Sequence, residues 1–104
     1  MIRMRISDEE RSAFKQAVLD HFGPDARVYL FGSRVEDRDQ GGDVDLYVET
    51  GLRGEKLQEA KLEALSQIQL RIGEQKIDMV TSGPEAENEA RPIVKKARET
   101  GVLL

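Results

Sequence analysis

From Asp43 to Glu49 the chain alternates strictly enough to fix a strand and both of its faces. Val44, Leu46 and Val48 fall on one side, Asp43, Asp45 and Tyr47 on the other. An aliphatic side of this kind needs a core. The two carboxylates, one residue apart, are therefore held together on the opposite face, where they can share a cation. Arg27 to Phe31, just upstream, is a nearly continuous β-prone run that reads as a central strand buried on both faces and ending in Gly32-Ser33. Between Ser33 and Asp43 lie nine residues, mostly polar or charged, with room for a short helical turn over Val35 to Gln40 before Gly41-Gly42 frees the backbone.

The flanking segments supply the layers for such a sheet. Ser7 and Glu10 match a capping box, and Phe14, Ala17, Val18 and Phe22 follow at helical spacing, which predicts a helix from Asp8 to His21, stopped by Gly23-Pro24. Glu55 to Ile72 predicts a long amphipathic helix with Leu57, Ala64, Leu65, Ile68 and Ile72 on one stripe. Lys61 falls inside that stripe and is expected to snorkel, while Leu70 lies nearly opposite, as an isolated exposed leucine or as a contact for a partner. After Gly73, Lys76 to Val80 reads as a third strand with Ile77 and Met79 on one face and Lys76, Asp78 and Val80 on the other. Pro92 to Glu99 closes as a short helix before Gly101, and Leu103-Leu104 is expected to dock on a core or a partner. The order helix, strand, strand, helix, strand, helix predicts an α+β fold. Its small mixed sheet carries helices packed on one face, and the polar side chains of the second and third strands lie on the other. At 104 residues this is one domain, spanning 1–104.

If the third strand lies beside the second in register, Asp78 joins Asp43 and Asp45. A buried aspartate within Lys76-Ile77-Asp78-Met79-Val80 is costly unless a cation accompanies it. Three carboxylates around a vacant centre suit Mg²⁺, which takes oxygen ligands and completes its shell with water and phosphate. Gly32 and Ser33 offer backbone amides and a hydroxyl to the phosphates of a nucleoside triphosphate, with Arg34 as counter-charge or, equally, as an ion-pair partner of Glu36. Ser33 has no base beside it, since the only histidine, His21, sits at a helix end where it would meet the last carbonyls, so Ser33 reads as a phosphate ligand and not a nucleophile. Asp78 alone would also suit a surface pair with Lys76, and Tyr47 lines the pocket, offers an acceptor hydroxyl or packs.

Composition narrows the function from outside. A net charge of -4 without a Lys/Arg cluster argues against nucleic acid as a direct ligand. With no cysteine, thiolate metal sites and cysteine nucleophiles are excluded. Nothing approaches the roughly eighteen consecutive apolar residues of a membrane span, and the expected location is the cytoplasm.

LFGSR, GGDVDLYVE and KIDMV together resemble the signature of the polymerase-β-type nucleotidyltransferases, and the short length is similar to that of the minimal members. The resemblance runs from the first helix to PIVKKARETGVLL; the nine residues between Ser33 and Asp43 are one fewer than in many relatives. It implies two Mg²⁺ ions on Asp43, Asp45 and Asp78, with ATP as substrate. Gly32, Ser33 and Arg34 would lie at the triphosphate, and AMP would pass to an acceptor hydroxyl with loss of pyrophosphate. It implies further an antitoxin-like protein that adenylylates a helical HEPN-type partner and forms a hetero-oligomer with it. The alternative is a module that neutralises that partner by contact with weak or no catalysis.

Overall fold

The computed structural model describes residues 6–32, 44–83 and 91–104. Among them are three helices, α1 (Asp8–Phe22), α2 (Gly54–Ile72) and α3 (Pro92–Thr100), and four strands, β1 (Arg27–Phe31), β2 (Val44–Glu49), β3 (Ile77–Ser82) and β4 (Val102–Leu103). The capping box forms as the sequence predicts. Ser7 Oγ accepts from the Glu10 amide at 3.0 Å, and Glu10 Oε1 accepts from the Ser7 amide at 3.0 Å. Three acidic residues in the first turn then favour the helix dipole.

The strands form one mixed sheet in the order β3-β2-β1-β4. β1 and β2 are antiparallel, and β2 and β3 are parallel, so the chain must cross over between them, and α2 is that crossover. β4, which the sequence reading did not anticipate, is only two residues long. It pairs with β1, bringing Leu104 onto the core, where its amide donates to the Val28 carbonyl and its own carbonyl accepts from Arg11. Of the two terminal leucines, Leu104 thus docks on the core, while Leu103 stays exposed.

α1 and α2 share one face of the sheet, where Phe14, Val18 and Ile68 meet Leu30, Val44, Leu46, Val48 and Met79. The third helix adds a layer on the opposite face. There Val94 and Ala97 of α3 bury Phe31 and Tyr47, an apolar patch on the side that carries the carboxylates. That face is therefore only partly polar. An ion pair pins α3 in place: Arg98 Nε stands 3.5 Å from Glu49 Oε2.

His21 does not cap its own helix. Its ring lies against α2, with Nδ1 3.1 Å from Glu63 Oε2 and Nε2 2.7 Å from Gln67 Oε1. Gln67 in turn donates to Asp20, and together with Gln16 holds the Asp20 carboxyl below its ordinary value. Helix-to-helix contact won because α1 and α2 pack side by side over the same core. Among the described residues no helix is long and apolar enough to cross a bilayer.

Candidate active site

Three adjacent strands bring the site residues to one end of the sheet. Phe31 is the register partner of Asp45 across β1 and β2, and Asp45 is the partner of Asp78 across β2 and β3. Register partners on neighbouring strands stand about 5 Å apart and share a face. Two carboxylates are therefore held side by side by backbone hydrogen bonding alone, the arrangement that the sequence made conditional on strand register.

Gly32 is what leaves room for Asp45. Its φ of +83° is one that side chains rarely adopt. A Cβ built there would collide with Asp45 Oδ2 and lie 3.1 Å from Asp45 Cγ. The turn after β1 thus places bare backbone directly against a carboxylate of β2.

The expected burial of Asp78 does not hold. β3 is the edge of the sheet, and Asp78 is exposed while Asp45 is half-buried. No burial cost then demands a cation beside Asp78. Like charges in register repel, and a cation between the two carboxylates would relieve that repulsion. Both side chains offer the hard oxygen donors that a magnesium-like ion takes, and the exposed one leaves space for water and phosphate, so they fit such an ion as two of its ligands. Among the described residues no group of three or more acidic, imidazole or thiol side chains gathers for a metal. Asp43, Ser33 and Arg34, assigned from the sequence to metal and phosphate, lie outside the described residues.

A cavity of about 410 Å³ opens beside the pair. Asp45 and Asp78 line it with Phe31, Ile77, Val80 and Ile93, and so does Lys61 of α2. Lys61 belongs to the site's surroundings and was missed, although a cation inside an otherwise aliphatic stripe was the available signal.

Tyr47 is fully buried and turns away from the carboxylates. Its hydroxyl donates to Glu49 Oε2 at 3.1 Å, and its ring lies 5.7 Å from that of Tyr29. Packing, one of the three roles weighed for it, accounts for its position. Burial first, then the neighbouring Glu49 charge, push its pKa up to about 12 from an ordinary value of 10.0. Below pH 10 the phenol is protonated in folded and unfolded chains alike, and its stabilising contribution is complete. Between pH 10 and about 12 the unfolded chain ionises while the folded one keeps the proton, so stability falls as pH rises through that window. Urea midpoints measured from pH 9 to 12 should fall less steeply for Tyr47→Phe than for the wild type; parallel curves would contradict this assignment.

The family described as nucleotidyltransferase domain matches the chain over residues 11–104. No curated protein matches it.

Proposed function

Because the chain belongs to the nucleotidyltransferase domain family, we propose that it moves AMP from ATP to a hydroxyl of a partner protein. The family supplies nucleotidyl transfer with a nucleoside triphosphate and a divalent metal. The choice of ATP, Mg²⁺ and a protein acceptor is our reading. The metal rests above all on the register pair Asp45 and Asp78, with Asp45 lying against backbone that only glycine leaves bare, and ATP and the protein acceptor rest on the resemblance.

Asp45 and Asp78, with Asp43, would hold Mg²⁺, which when bound neutralises phosphate charge and makes an attacking hydroxyl more acidic. The Gly32 turn brings backbone to the nucleotide side of Asp45, and Ser33 and Arg34 are assigned to the triphosphate there. Asp78, exposed at the sheet edge, faces incoming acceptors and serves as general base. The acceptor oxygen bonds to the α-phosphorus as the bond to the bridging oxygen breaks. Pyrophosphate leaves, and the hydroxyl proton passes to the Asp78 carboxylate.

A partner protein is favoured over nucleic acid by the net charge of -4. The HEPN-type identity of that partner rests on the resemblance, as does an antitoxin role in the cytoplasm. Incubating the chain with ATP, Mg²⁺ and a HEPN-type protein should give a partner heavier by one AMP in intact-mass analysis, and chelation by EDTA should abolish the gain. A partner whose mass never changes would sink the reading. Contact without chemistry is the second reading, favoured by Leu70, which is 89% exposed on α2 with Leu62 also exposed. It prevails if the partner is still neutralised after all nucleotide is removed.

A further inference from the structure

Consecutive residues of a strand point to opposite faces of its sheet, so a run of them can line one cavity only along the strand's edge. Ile77, Asp78, Met79 and Val80 all line the cavity beside the carboxylates. Its walls come from both faces, Leu65 of α2 on one and Ile93 of α3 on the other. The cavity is thus a groove whose floor includes the outer edge of β3, and it continues from Asp78 over Asp45 to Phe31. The hydrogen bonds of β3 define what that edge offers. The Val44 amide donates to the Lys76 carbonyl and the Thr50 amide to the Ser82 carbonyl, with Val44 opposite Ile77 and Val48 opposite Thr81. In a parallel ladder fixed this way, Asp78 and Val80 turn their amides and carbonyls to β2, while Ile77, Met79 and Thr81 turn theirs outward. Among the described residues no strand lies beyond β3. One outward group is occupied, because the Thr81 carbonyl accepts from the Arg91 guanidinium at 2.7 Å. Arg91 thereby trims the open edge to residues 77–79, as natural edges are trimmed against pairing with copies of themselves. Ile77 and Met79 are left with outward donors and acceptors on either side of Asp78.

We infer that the acceptor enters this groove as an extended peptide segment that adds to the edge of β3, with its hydroxyl residue in register with Asp78. The inference rests on the transfer reaction proposed above and names how its protein substrate is held. Backbone pairing at Ile77 and Met79 grips the segment whatever its side chains. The residue set opposite Asp78 has its side chain on the carboxylate face, with the two Cβ atoms about 5 Å apart. A serine or threonine there brings its hydroxyl level with the Asp78 carboxylate. The residues before and after it turn to the other face, beside Ile77, Met79 and Leu65, where aliphatic side chains fit. Nucleic acid has no backbone amides to complete such a ladder, so the chemistry of the edge selects a peptide.

The probe is a fluorescein-labelled peptide, Gly-Gln-Val-Ser-Val-Gln-Gly, read by fluorescence anisotropy against the full chain. Only alternate amides of an added strand face β3, so methylating the backbone nitrogen of the serine and that of the valine after it should have unequal effects. One methylation should weaken binding at least about tenfold while the other stays within about twofold, and which is which gives the strand direction. Hydrogen-deuterium exchange locates the contact on the protein. The Ile77 and Met79 amides should exchange quickly in the free chain and slow at least about tenfold when the peptide saturates it, whereas those of Asp78 and Val80, bonded to β2, are slow in both states. The inference is overturned if the peptide does not bind, if both methylations or neither weaken it, or if the Ile77 and Met79 amides are already protected in the free chain. It also falls if sedimentation reveals a dimer whose dissociation exposes those amides, which would make a second copy the occupant. Binding that alternates in this way without any AMP transfer from ATP would remove the proposed chemistry and leave the docking edge standing. Transfer to a partner protein with no such alternation would do the reverse.

Discussion

Asp45→Asn is expected to lower nucleotidyl transfer by at least about a thousandfold while the protein stays folded. The argument is one of charge at fixed geometry. Asparagine keeps the size of the side chain and one carbonyl oxygen but removes the negative charge that a divalent ion needs, and a loss of about 4 kcal/mol of transition-state stabilisation corresponds to that factor. Asp45 and Asp78 are register partners on one face, and like charges directly opposite each other destabilise a strand pair by about 0.2–1 kcal/mol. The unfolding midpoint of Asp45→Asn should therefore stay within about 4 °C of the wild type. Glu49→Gln is the control on the same strand. Glu49 receives the Tyr47 hydroxyl and the Arg98 guanidinium, so its loss should weaken the docking of α3 yet leave transfer within about twofold. Equal loss of activity in both variants, or none in Asp45→Asn, would show that carboxylate position on β2 does not decide the chemistry.

What could be read in advance follows from which signals are local. The alternation of Val44, Leu46 and Val48 with Asp45 and Tyr47 fixed β2 and its faces, because period-two burial is written in the strand itself. The same holds for the capping box of α1 and for the stripe of α2. The pairing of Asp45 with Asp78 was legible only as a condition, since register between distant strands depends on the α2 crossover and the shared core. Three features escaped for the same reason. Asp78 looked buried because its neighbours in sequence are apolar, yet β3 turned out to be the edge strand. Val94 and Ala97 gave no hint of which sheet face α3 would take; the apolar pair Phe31 and Tyr47, which α3 buries, decided it. Lys61 was correctly placed in the α2 stripe, but that its end reaches the carboxylate cavity depends on how α2 lies across the edge of β3. The family assignment bears out nucleotidyl transfer, the general activity that the resemblance implied.

Gly32→Ala should be the most damaging single-methyl change in the described part of the site, and a double-mutant cycle separates its two causes. The first is backbone strain. At φ +83° an alanine costs on the order of 1–2 kcal/mol wherever it stands. The second is specific: the new Cβ would run into the Asp45 carboxylate, with Cγ at 3.1 Å and Cβ at 3.4 Å. Either Asp45 swings aside or the turn after β1 shifts. Displacing a metal-holding carboxylate by about 1 Å is enough to cost about a hundredfold in rate, so transfer should fall by that much and stability by about 2–4 kcal/mol. In an Asp45→Ala background the colliding oxygen and Cγ are gone and only the 3.4 Å Cβ contact remains. Gly32→Ala should then cost stability only through its backbone strain, giving a coupling of about 1–2 kcal/mol between the two positions in denaturant unfolding. Additive costs would mean that Gly32 is required by the turn alone. Coupling at this size would instead show that the glycine exists to let a carboxylate of β2 lie against bare backbone, the contact that brings the metal-binding and phosphate-binding halves of the proposed site together.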